Sequence, residues 1–245
     1  MRLALLSMVL LTCSTRSEPR VVRVAAASDL QRAFEELGPE LEQRTGIKPI
    51  FDFGSSGLLA KQISQGAPYF LFAAANASYV DQVVASGRCD AASVRRYARG
   101  RIVVWTPSGL AAPGKLADLA DPRFQRIAIA NPDHAPYGLA AKQALQSAGL
   151  WNGLQDRIVV ADSVQGAMQY ARSRSVNAAI VAQSLAVVSD GGGSLLIDGS
   201  LHAPLEQSLV VCGTGDEAEA ARQLAELIAS PDGREVMSRY GFVIP

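Results

Sequence analysis

Phe51-Asp52-Phe53-Gly54-Ser55-Ser56-Gly57-Leu58-Leu59-Ala60-Lys61-Gln62-Ile63 reads as a strand that hands the chain to a helix. The apolar run stops at Gly54, two hydroxyls follow, and an amphipathic pattern begins at Ser56. At such a start the first backbone N–H groups have no partner inside the helix, and serine hydroxyls gather beside them. The positive end of the helix dipole adds to this, so the junction suits an anion.

The same handover recurs at Ala27-Ser28-Asp29, Pro136-Tyr137-Gly138 and Asp162-Ser163-Val164. Around these junctions the apolar runs predict strands over 21–27, 50–53, 70–74, 101–105, 126–130, 158–160, 178–181 and 207–212. Between them, helices are predicted over 30–45, 56–64, 77–85, 139–147, 164–172, 218–229 and 234–239, with a short one over 116–119. Ser28-Asp29 is read as the cap of the first helix, Pro39 as a bend or break in it, and Gly191-Gly192-Gly193 as a turn. Alternation of strand and helix gives an α/β class, with mostly parallel sheets covered on both faces. Two such series imply two lobes, residues 20–105 with 207–245 and residues 106–206, linked by the strands near Val103 and Val210. In open α/β sheets the handovers collect at the carboxyl ends of the strands, where ligands bind. With two junctions in each lobe, an anion could be clamped between them. Taken singly, Ser28, Ser55 and Ser163 read equally well as ordinary helix caps.

The chain has 245 residues, enough for one large domain or two ordinary lobes, with 23 Lys and Arg against 23 Asp and Glu. This balance gives no basic surface for nucleic acid and no broad cationic trap, so local dipoles must hold any bound anion. Met1-Arg2 followed by the apolar run Leu3 to Leu11 is an export signal over residues 1–17, too short to span a bilayer as a mature helix. Two outcomes stay open there: lipid attachment at Cys13 or simple cleavage near Ser17. The other two cysteines, Cys89 and Cys212, are far apart in sequence, and Cys212 lies in an apolar run, so both are expected as free thiols. His134 and His202 stand alone, so no site for a free metal cation and no cofactor is expected.

Several segments, taken together, resemble the molybdate-binding proteins of bacterial ABC importers. They are Ala25-Ala26-Ala27-Ser28-Asp29-Leu30, the run from Phe53 through Ile63 to Pro68, Asn131 through Gly138, and the ending from Ser230 to Phe242. They occur in order over nearly the whole mature chain. The resemblance implies a type II periplasmic binding fold, in which two lobes close on molybdate or tungstate without a countercharge. It implies an inner-membrane permease as partner, a periplasmic location and a monomer. Carried over by position, it assigns Ser28, Asp29, Ser55 and Ser56 to the anion from one lobe, and Tyr137 and Val164, through backbone N–H groups, from the other. Family members often carry a tyrosine after the strand matching Ile180-Val181, where this chain has Ala182; the hydroxyl of Tyr137 either replaces it or points away. An aspartate is an awkward neighbour for an anion, so the Asp29 carboxylate is expected to cap locally while its N–H binds.

Three other functions compete. A serine hydrolase would pair Ser55 or Ser56 with His134, but Gly54-Ser55-Ser56-Gly57 lacks the spacing of a nucleophile elbow. A regulator's effector domain would need a helix-turn-helix before the first lobe, where only the export signal stands. A binder of small organic acids would want an arginine fork, and none falls at the four junctions.

Overall fold

The computed structural model describes residues 20–245; the predicted export signal and Cys13 lie outside the described residues. Strand β1 (Arg20–Ala27) is buried from Val24 onward and leads into a tight 3-10 turn, Ser28–Leu30. Helix α1 (Gln31–Thr45) follows, burying Phe34, Leu37 and Leu41 on one face and ending at Gly46 in the left-handed conformation that glycine adopts most readily. Pro39 does not interrupt α1: its ring lies on the exposed side, and Gly38 beside it lets Phe51 pack closely. Then come β2 (Ile47–Gly54), α2 (Ser56–Ser64), β3 (Leu71–Ala74), α3 (Ala77–Ala85) and β4 (Arg95–Gly100). The second series comprises β5 (Ile102–Thr106), β6 (Ile127–Ala130), α4 (Pro136–Ser147), α5 (Trp151–Leu154), β7 (Ile158–Ala161), α6 (Val164–Arg172), β8 (Ala178–Ala182), α7 (Gln183–Ala186) and β9 (Gly193–Leu196). Strand β10 (Leu205–Val211), α8 (Asp216–Ala229) and α9 (Pro231–Arg239) complete the chain.

The strands form two five-stranded sheets, ordered β2-β1-β3-β10-β4 and β7-β6-β8-β5-β9. In the first, β1 pairs in parallel with β2 and β3, while β10 runs antiparallel to β3 and β4. In the second, β6 pairs in parallel with β7 and β8, while β5 runs antiparallel to β8 and β9. The sheets are therefore mixed, and β4 and β9 join the strands that the apolar pattern picks out. The β4 sequence, Arg95-Arg96-Tyr97-Ala98-Arg99-Gly100, is too charged to read as a buried run, and β9 starts at Gly193, inside the predicted glycine turn. In each sheet the fourth strand, β10 or β5, runs antiparallel and is the one that has just arrived from the other sheet. It enters where its parallel neighbours leave. The chain passes between sheets around Arg101 and returns between β9 and β10, so all of β5, up to residue 106, belongs to the second sheet. Pairing of Gly100 with Leu205, and of Ile102 with Ala182, puts both passages at the carboxyl ends of the parallel strands. The carboxyl edges of the two sheets consequently face each other.

Cys89 and Cys212 are not free thiols but form a disulfide. The segment after α3 runs antiparallel beside the end of β10 and sets the two residues opposite each other, a proximity that their sequence separation of 123 conceals. Closing so long a loop restricts the unfolded chain, so reduction is expected to remove up to about 5 kcal/mol of stability. Denaturant unfolding with and without reductant measures this; an unchanged midpoint would refute the bridge's stabilising role.

Candidate functional site

A small cavity, of about 10 Å³, lies where the carboxyl edges meet. Ala27, Ser28 and Asp29 reach it from the end of β1, Gly54, Ser55 and Ser56 from the end of β2, and Ala75 from the end of β3. Ala135, Pro136 and Tyr137, which follow β6, and Val164, which follows β7, line the opposite side. All six residues singled out from the sequence (Ser28, Asp29, Ser55, Ser56, Tyr137 and Val164) thus stand around one cavity. Neither lysine nor arginine is among the residues lining it.

Three helices begin here. Ser56 and Val164 are the first residues of α2 and α6, and Tyr137 is the second of α4, after Pro136, which has no N–H to offer. Their N–H groups lie in first turns, where no intrahelical acceptor exists. The neighbouring N–H groups are already engaged: Gly57 donates to the carbonyl of His134, Gly138 to Ala135, and Gly166 to the Ser163 hydroxyl that caps α6. The Ser56 hydroxyl accepts the N–H of Ala75 at 3.1 Å, which leaves its own proton to give. Each helix thus presents unpaired donors and the positive end of its dipole to the cavity.

Ser55 has another task. Its hydroxyl donates to the carbonyl of His134 at 2.5 Å and lies 2.8 Å from the Nδ1 of the same ring. With the Gly57 bond, this ties α2 of the first sheet to the loop after β6 of the second. The approach needs glycine, since a Cβ at Gly57 would stand 2.7 Å from the His134 carbonyl oxygen. Ser28 and Asp29 form the 3-10 turn rather than capping α1, whose cap position is Leu30.

Asp29 departs furthest from expectation. Its carboxylate reaches beyond its own turn: Oδ2 accepts the hydroxyl of Tyr137 at 2.9 Å and the side-chain amide of Gln207 at 2.8 Å. Ser184 at the start of α7 donates to the Asp29 backbone carbonyl at 2.8 Å. Burial raises the Asp29 pKa from 3.8 to about 7, against the lowering effect of hydrogen bonds from Tyr137, its own backbone and Gln207. Burial also holds the Tyr97 and Tyr137 hydroxyls well above their ordinary range, and the charge on Asp29 acts in the same direction. The Tyr137 hydroxyl is therefore spent on Asp29, while Ala182 is fully buried and does not line the cavity. Gly100 makes room for this ring, since a Cβ there would fall 2.1 Å from its hydroxyl. Neither Gln207 nor Gly100 stands at a helix start, so the junction pattern passes over both. The one available signal was a glutamine opening an otherwise apolar run.

Residues 22–243 match the family model for bacterial extracellular solute-binding proteins. The chain belongs to that family. This solute-binding protein is 31% identical over 222 residues to the molybdate-binding protein of Rhodobacter capsulatus, covering 91% of this chain and 88% of that one. It is 32% identical over 241 residues to the molybdate-binding protein of Azotobacter vinelandii, covering 95% and 93%. The solved structure of the periplasmic molybdate-binding protein from Azotobacter vinelandii superposes with a TM-score of 0.83 at 29% identity, over 91% of this chain and 99% of that one. These relatives are binding proteins, not hydrolases.

The raised pKa has a consequence for stability. Between about pH 4 and 7 the folded state holds a proton on Asp29 that the unfolded chain releases, so this residue's contribution falls as pH rises through that window. Asp29→Asn keeps the bonds from Tyr137 and Gln207 without the charge. Thermal melts should show the Asp29→Asn variant equal to the wild type near pH 4 and more stable at pH 8, by a few kcal/mol at most. A gap that does not change with pH would contradict the assignment.

Proposed function

We propose that this protein captures molybdate, or tungstate of the same shape and charge, outside the cytoplasm and delivers it to an inner-membrane ABC permease. The observation that carries this reading is a cavity between the sheets, walled by helix starts and hydroxyls and free of lysine and arginine. A tetrahedral dianion needs several donors at about 2.7–3.0 Å and gains charge-assisted bonds from neutral ones. Ser28 and Ser56 offer hydroxyls, and Ser56, Tyr137 and Val164 offer first-turn N–H groups. Asp29 adds its backbone N–H, and Ser55 holds the rim closed through His134. The relatives' reported ligand points the same way.

The two chain passages, around Arg101 and between Leu196 and Leu205, serve as the hinge about which the lobes close. The protein works as a monomer in the periplasm after export by the leader, tethered through Cys13 if that residue is lipidated. It binds no nucleic acid and uses no cofactor. A thermal-shift panel of molybdate, tungstate, sulfate, phosphate and chromate tests the reading, because a ligand that binds only the folded state raises its melting temperature with concentration. Molybdate and tungstate should give the largest shifts. Ser56→Ala should weaken molybdate binding by roughly 1–3 kcal/mol in calorimetry, the loss of one hydrogen bond to a charged group. Equal affinity in that variant would remove Ser56 from the pocket.

A further inference from the structure

The start of α2 forgoes what a helix start ordinarily gains. Ser55 occupies its cap position, yet the hydroxyl makes no bond within the helix and goes to the carbonyl of His134, in the loop after β6. Gly57 is the second residue of the helix and has no positive φ, so its backbone does not require glycine, and alanine would favour the helix. Both departures serve a single contact between the two halves. The His134 carbonyl accepts the Ser55 hydroxyl at 2.5 Å and the Gly57 N–H at 2.9 Å, one for each lone pair. Its own loop is braced, with the Ala135 N–H donating to the Asn131 carbonyl and the Asp133 N–H to the Asn131 side chain.

We propose that Gly57 is a positioning residue for anion capture, its backbone contact with His134 being the latch that fixes how far the lobes close and how long the anion stays. The proposal rests on the oxyanion reading of the cavity and on its hinged closure. Neither Gly57 nor His134 lines the cavity, so the latch acts on the anion through the walls it holds. These are Ser56, immediately before Gly57, and Ala135, Pro136 and Tyr137, immediately after His134. The two backbones touch, since a Cβ at Gly57 would stand 2.7 Å from the His134 oxygen and 3.0 Å from its Cα. That obstacle is main chain and cannot rotate aside. Closer approach is blocked, and a side chain at position 57 would hold the lobes apart.

A bond that exists only in the closed arrangement stabilises that arrangement alone. Encounter takes place with the lobes apart, so the latch leaves association nearly unchanged, whereas release requires breaking it. Its effect is therefore concentrated in the dissociation rate. The Gly57 N–H also reports on the latch. A first-turn donor has no acceptor inside its own helix, so once His134 withdraws this N–H faces water and exchanges.

Hydrogen exchange and a chase experiment on the full protein, with molybdate as the probe, test this. In the wild type, saturating molybdate should slow exchange of the Gly57 N–H by about tenfold or more, beyond any change at the Gly46 N–H, which is bonded to Glu42 at the far end of α1. Chased with excess tungstate, labelled molybdate should leave the Gly57→Ala variant about tenfold faster than the wild type, the equivalent of one or two hydrogen bonds, while association stays within about threefold. Without anion the variant should melt no lower than the wild type, because alanine suits a helix better than glycine. A wild-type release rate from Gly57→Ala, or slower association that accounts for its whole loss of affinity, overturns the inference. So does a lower melting temperature of the variant without anion, which would mark a contact kept at all times. Equal protection of the Gly57 N–H with and without bound molybdate overturns it too, and that comparison needs no substitution. Absence of oxyanion binding by the wild type overturns instead the reading on which the inference rests.

Discussion

One hydrogen bond, from the Tyr137 hydroxyl to Asp29, organises the site. It joins the start of α4 to the turn after β1, and so fixes the two sheets against each other behind the cavity. Gly100 clears space for the ring, Gln207 completes the acceptor oxygen, and Ser184 holds the backbone of the turn. Across the cavity, the carbonyl of His134 receives Ser55 and Gly57. With a buried interlock on one side and a rim clasp on the other, the space between them is small, shaped and shielded. There, dipoles of modest strength act with little screening.

The fold puts donors at this spot by topology rather than by local accident. A strand that crosses from one sheet to the other must enter antiparallel, beside strands that end where it begins. Both crossings therefore lie at the carboxyl edges, and so do the helix starts after β1, β2, β6 and β7. Nothing in the cavity wall needs a positive side chain, because first-turn N–H groups and hydroxyls are already concentrated there.

The strand-to-helix handovers were legible in the sequence because each combines a period change with a glycine, serine or proline at the junction. Helices α2, α3 and α6 begin and end where the pattern puts them. Strand β4 was not legible, since its three arginines disguise a half-covered edge strand as a loop. The direction of β5 and β10 depends on where the chain arrives from, which periodicity does not record. At the site, Ser28, Ser55, Ser56, Tyr137 and Val164 carry a local signal. The bonding of Asp29 to Tyr137 and Gln207 carries none, because those contacts span 108 and 178 residues. The disulfide was missed for the same reason: only the folded chain brings residue 89 next to the end of β10.

That bridge has a bearing on movement. Cys89 and Cys212 both belong to the half built on the first sheet, so the covalent link stiffens one jaw and leaves the two strands that connect the jaws unencumbered. An oxidising compartment can thus harden the half that carries Ser28, Asp29, Ser55 and Ser56 while leaving the proposed hinge untouched. In the proposed closure, rigidity and mobility are separated along the chain, with the covalent brace on one side and the pivot on the other.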